Sequence, residues 1–120
     1  MKIKKFLIDI YCWGVTFIEV NSLKEFEKSV KYLEEYGVEY YEINDLRKYI
    51  KEGISGGKCW KKVNIRESLL LVYNATNGEL RNDIICHEKR HLENNIMELC
   101  DISDNEAEAY LAGYLGRMLL

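Results

Sequence analysis

The stretch His87-Glu88-Lys89-Arg90-His91 decides how this chain of 120 residues is interpreted, because it contains the only two histidines. Apolar residues recur around it at helical spacing over 79–98, which predicts a helix. Residues four positions apart lie on one face of a helix, one turn from each other. The helix therefore presents His87 and His91 side by side. A helical wheel places Glu88 between the histidines and the apolar face, and places Lys89 and Arg90 away from both histidines.

Two imidazoles at this spacing, with a glutamate directly after the first, form the HExxH pattern that binds one zinc ion. Zinc lowers the pKa of a coordinated water, and Glu88 would take the proton of that water as it attacks a carbonyl. The opposing interpretation is a solvated helix on which the three residues coincide. The charged pair Lys89 and Arg90 favours that interpretation, whereas the wheel, which turns both charges away from the histidines, favours a metal site.

A zinc site that keeps one position for water needs a third protein ligand. The chain has no third histidine, which excludes the metzincin pattern. A turn near Asp101 would let a second helix, from about residue 104 to 119, pack beside the first. Glu106 is the preferred third ligand and Glu108 the alternative. A capping box between Ser103 and Glu106 would also account for Glu106 without a metal.

The remaining sequence predicts strands before and between helices. Residues 38–62 are the hardest to interpret, with a strand near 40–43 and a short helix over 44–52. We expect the glycine-rich loop 53–57 and the strand at 68–73 to lie near the cleft. The other predicted elements are two strands within 3–20, which could form a hairpin, a helix from Ser22 to Gly37, and a turn over 74–78.

Length and composition predict one soluble domain over residues 1–120. The net charge is −3, and acidic residues concentrate after residue 92, which disfavours binding to nucleic acid. No apolar run is long enough to span a bilayer, so we expect no membrane association. Four cysteines without CxxC spacing are typical of free thiols in a reducing compartment, which predicts a cytoplasmic protein.

Residues 84–91, IICHEKRH, and residues 106–115, EAEAYLAGYL, resemble the small phage-encoded, zincin-like metallopeptidases of the gluzincin type. The pattern is more distantly similar to the ImmA/IrrE metallopeptidases. The resemblance covers about the last third of the chain. It implies a zinc ion held by His87, His91 and Glu106, with Glu88 as general base.

The resemblance also implies a fold and a setting. The fold would be a small α+β zincin-like domain, in which a curved β-sheet packs against the HExxH helix and a C-terminal ligand-bearing helix. The implied activity is zinc-dependent hydrolysis of a peptide bond in an unknown protein or peptide, in a phage or prophage setting. Two alternatives are a non-catalytic phage-derived binding protein that retains the fold and the metal site, and a plain domain without metal.

Overall fold

The chain, described by this computed structural model over residues 1–100 and 105–120, has an α+β fold. Pairs of strands alternate with pairs of helices along it, and a 3-10 turn connects the two strands of each pair. The elements are β1 (Lys2–Ile8), β2 (Trp13–Val20), α1 (Leu23–Tyr36), α2 (Tyr40–Lys51), β3 (Gly56–Lys62), β4 (Glu67–Tyr73), α3 (Gly78–Leu99) and α4 (Asn105–Leu119).

The four strands form one mixed sheet in the order β1-β2-β4-β3. The two hairpins β1–β2 and β3–β4 are antiparallel, and the central strands β2 and β4 pair in parallel. A parallel pair needs a long crossover connection, and here α1, α2 and β3 supply it. The strand β3 is consequently left at one edge of the sheet, where only β4 pairs with it among the described residues.

Helices cover both faces of the sheet. The side chains of the central strands alternate between the faces, as the two-residue period of a strand requires. Phe17, Leu70 and Val72 pack with α3 and α4, and Ile18 and Leu71 pack with α1 and α2. This double cover explains why residues 68–73 form an unbroken buried run instead of an alternating one.

Several predicted elements are confirmed by this architecture. Residues 2–20 form the hairpin, and β4 and α3 occupy the predicted positions. The backbone N–H of Glu25 donates to Ser22 Oγ at 3.1 Å, which caps α1 as the sequence predicts. Gly37 ends α1 with a φ of 101°, a left-handed conformation that glycine adopts without steric cost.

Two predictions between residues 38 and 62 are wrong. The expected strand at 40–43 is the first turn of α2, because Ile43, Leu46 and Ile50 share one buried helix face. The strand β3 begins at Gly56, inside the expected loop, because its pairing with β4 outweighs the low strand propensity of paired glycines and lysines. No helix in the described part of the chain is long and apolar enough to cross a membrane.

Candidate metal centre

Helix α3 carries the candidate centre and is fixed at its start and along one face. The Asn77 side-chain oxygen accepts hydrogen bonds from the backbone N–H groups of Glu79 at 2.9 Å and Leu80 at 3.2 Å. Ile85, Leu92 and Ile96 are fully buried against the sheet. The sequence thus fixes the rotation of α3 about its axis through its apolar face, and this rotation directs the other side chains.

The structure brings His87 and His91 together at the protein surface. Their Nε2 atoms lie 3.2 Å apart, and the rings meet edge to face with 4.8 Å between their centres. A tetrahedral zinc ion with Zn–N bonds of about 2.0–2.1 Å requires about 3.3 Å between two ligand nitrogens. The same separation suits a hydrogen bond between two imidazoles. The separation of the two nitrogens therefore suits a shared metal ion and an imidazole–imidazole hydrogen bond equally.

Glu88 lies beneath the histidines and is buried, with 5% of its surface exposed. A β-carbon at Gly57 would lie 2.7 Å from Glu88 Cγ and 2.9 Å from Ile84 Cγ2, so only glycine fits there without a shift. Burial raises the pKa of the Glu88 carboxyl, and the nearby His91, His87 and Lys58 oppose that shift. The result is a glutamate with a raised pKa beside two imidazoles.

A groove of about 440 Å³ runs between α3 and the edge strand β3 and opens at His87, Glu88 and His91. A second cavity of about 330 Å³ continues it past Gly56 and Tyr73. The expected loop 53–57 thus contributes its last two glycines to the cleft. The strand that lines the groove is β3 instead of the predicted 68–73, of which Tyr73 alone borders the second cavity.

The charged residues inside the HExxH pattern contact α4 and not the histidines. Lys89 Nζ lies 3.4 Å from the Ala112 carbonyl oxygen and forms an ion pair with Glu93. Arg90 Nη1 lies 3.2 Å from Glu93 Oε2 and 3.3 Å from Glu108 Oε1. Glu93, which accepts from both side chains, is only 2% exposed. These charges therefore help to attach α4 to α3.

The predicted third ligand, Glu106, lies in the exposed first turn of α4. Within residues 1–100 and 105–120, no three or more His, Cys, Asp or Glu side chains are grouped closely enough to hold a metal ion. The structure brings His87 and His91 together, with Glu88 in the same groove, and coordination by Glu106 stays a prediction. The predicted cap at Ser103 and the turn at Asp101 lie outside the described residues.

Sequence reasoning placed Gly57 near the cleft but missed Cys59 and Lys61 of β3, which line the groove opposite the histidines. The paired glycines were the available signal for this close approach, since glycine in a strand often marks one. No family model, curated protein or solved structure matches this chain. The functional interpretation therefore depends on the geometry of the centre.

Proposed function

We propose that this protein is a zinc-dependent metallopeptidase-like protein with a zincin-like fold. The observation that carries the proposal is the 3.2 Å separation of the two histidine Nε2 atoms at the mouth of a groove that also contains the buried Glu88. His87 and His91 would hold the metal, and Glu106 would complete the ligand set. A phage or prophage setting belongs to the same proposal and is based on the resemblance of the motif.

The reaction would divide between the metal and Glu88. Zinc bound at the histidines would supply a Lewis acid that makes water a better nucleophile at neutral pH. Glu88 would accept the proton of the attacking water and deliver it to the leaving amine. Burial holds the Glu88 side chain in place and favours its neutral form, and this favours uptake of that proton.

The edge strand β3 offers a means of holding the substrate. Its outer edge pairs with no strand in the described part of the chain, so its backbone groups are placed to pair with an extended polypeptide. Such a segment would lie along the groove beside the histidines. The substrate class is therefore an unfolded or extended region of a protein, and not a compact surface.

The substitution Glu88→Gln tests the reaction. It keeps the size of the side chain and both histidines, so we expect zinc content to stay unchanged. Hydrolysis of a mixture of internally quenched fluorescent peptides should fall by at least about 100-fold, since a general base contributes about 10²–10⁴. Glu98→Gln, an exposed change on the same helix, is the matched control and should keep full activity. Equal activity of the Glu88→Gln variant would contradict the mechanism.

A non-catalytic binding protein with the same metal site is the alternative. The ion pair between Arg90 and Glu108 favours this alternative, because it engages one of the two candidate carboxylate ligands on α4 in a contact other than metal binding. In that case the protein binds zinc, hydrolyses none of the peptides, and shows no difference between Glu88→Gln and the unmodified chain.

A further inference from the structure

A second pocket, of about 260 Å³, lies on the opposite face of β3 from the histidines. It forms where α2 packs against the sheet, and aromatic and acidic side chains dominate its lining. The aromatic residues are Tyr41, Tyr49, Trp60 and Tyr73, and the acidic residues are Glu42 and Asp45. The proposed reaction uses none of its aromatic or acidic side chains.

The pocket has a largely buried wall and an exposed rim. Trp60 Nε1 donates a hydrogen bond to Glu42 Oε2 at 3.1 Å, which orients the indole, and Tyr73 is 8% exposed. Tyr41 is 66% exposed and Tyr49 41%, so their rings are accessible to an occupant. The Asp45 side chain is exposed and makes no hydrogen bond or ion pair with another described residue.

Aromatic ring faces together with carboxylates attract cations. A lysine ammonium or arginine guanidinium gains electrostatic energy over the ring faces of Trp and Tyr, and more beside a carboxylate. Two carboxylates line the pocket against one basic residue, Lys58, whose exposed side chain lies at the rim. The charge of the lining therefore favours a cationic group and disfavours an anionic one.

The position of the pocket links it to the groove at the histidines. Lys58 borders both the pocket and the groove, and Tyr73 borders both the pocket and the adjoining cavity. A polypeptide paired with the outer edge of β3 would direct successive side chains to opposite faces of the sheet. Residues on one face would pass the histidines, and their immediate neighbours would pass the aromatic pocket.

We propose that the aromatic pocket receives a lysine or arginine side chain of a polypeptide bound along β3. The partner is therefore an extended segment that contains a basic residue. If the proposed function holds, the pocket also gives a preference for substrates with a basic residue near the cleaved bond, and only this consequence rests on the proposed function. The binding itself requires neither zinc nor hydrolysis. The net charge of −3 is consistent with such a partner.

The test measures binding to the full chain kept free of metal by a chelator. The probes are fluorescent decapeptides of alternating threonine and alanine with a central arginine, norleucine or glutamate, and the measurement is fluorescence anisotropy. We expect the arginine peptide to bind at least about fivefold more tightly than the norleucine peptide, and the glutamate peptide to bind most weakly.

The variant Tyr41→Ala/Asp45→Asn removes one ring and one charge, both exposed, so the fold should persist. It should lose the preference for arginine. The control Tyr40→Ala/Glu34→Gln also removes one exposed tyrosine ring and one carboxylate charge, both outside the pocket, and should keep the preference.

Three results would overturn the proposal: no measurable binding of the arginine peptide, equal affinity for arginine and norleucine, or an unchanged preference in Tyr41→Ala/Asp45→Asn. Failure of the reaction is a separate result. A preference for arginine without hydrolysis supports the proposed role of the pocket and contradicts the proposed peptidase activity. Hydrolysis without a preference for arginine supports the activity and contradicts the role of the pocket.

Discussion

At the scale of single residues, His87 and His91 were predictable as a pair because four-residue spacing in a helix fixes their proximity. The structure adds the distance of 3.2 Å between their Nε2 atoms. The burial of Glu88 was not predictable from its own helix, because it depends on Gly57, which is distant in sequence and approaches through the β3–β4 pairing. The histidine pair could therefore be predicted from local sequence, whereas the contact between Gly57 and Glu88 could not.

The identity of the third ligand can be tested by two single substitutions. Glu106→Ala should weaken zinc affinity by more than about tenfold, because it removes a direct ligand, and loss of a group that merely orients a ligand already costs about 10–100-fold. Glu108→Ala should leave zinc affinity unchanged, since its carboxylate contacts Arg90. Competition with a zinc chelator of known affinity measures both variants. If Glu108→Ala destroys zinc binding and Glu106→Ala does not, the assignment is wrong.

Cys59, in the wall of the groove, should be unreactive. Burial raises the pKa of its thiol to about 12, Glu88 adds to the shift, and Lys61 opposes it. A raised pKa means less of the nucleophilic thiolate at any pH below it, and iodoacetamide at about pH 8 should therefore modify Cys59 at least about tenfold more slowly than it does the exposed Cys12 and Cys86.

Peptide mapping by mass spectrometry gives the three rates. The unfolded chain is the control, in which all the thiols should react at similar rates. Equally fast labelling of Cys59 and Cys12 in the folded protein would show that the thiol is not shielded.

At the scale of elements, helices were predicted better than strands. The caps of α1 and the apolar face of α3 are local signals, because the residues that form them lie within one or two helical turns of each other in the sequence. The strand β3, with the sequence GGKCWKK, has almost no local signal and forms because β4 offers it a partner. It is also the element that lines both the groove and the aromatic pocket, so the parts of the candidate site that sequence reasoning missed lie on it.

The approach of β3 to α3 predicts a specific effect of Gly57→Ala. The new β-carbon would lie 2.7 Å from Glu88 Cγ, so the Glu88 side chain must move. We expect a loss of about 1–3 kcal/mol in the free energy of unfolding. Hydrolysis should fall by about 100-fold, since a displacement of about 1 Å at a catalytic group has that effect.

Gly14→Ala in β2 is the matched control for that substitution. Its β-carbon would meet Glu67 Cγ at 3.5 Å, an ordinary contact, so stability should change by no more than about 0.5 kcal/mol. Denaturant unfolding and the peptide assay measure both variants. If Gly57→Ala retains full stability and activity, the close approach does not position Glu88.

At the scale of the whole molecule, the α+β class followed from the order of elements, whereas the layering did not. The side chains of β2 and β4 alternate between the two helical layers, and the unbroken apolar run of β4 does not let the sequence distinguish its two faces. Helix α4 buries Leu111, Leu115 and Leu119 in the core, and it is also contacted by Lys89 and Arg90, charges that the helical wheel turned away from the histidines.

The most direct test of the central claim is the zinc content of the whole protein, purified without a histidine tag and measured by inductively coupled plasma mass spectrometry. The account predicts about one zinc per chain, and less than about a tenth of an equivalent in His87→Ala/His91→Ala, whose side chains are exposed and whose loss should leave the fold intact. Less than about a tenth of an equivalent in the unmodified protein, even after refolding with zinc, would contradict it.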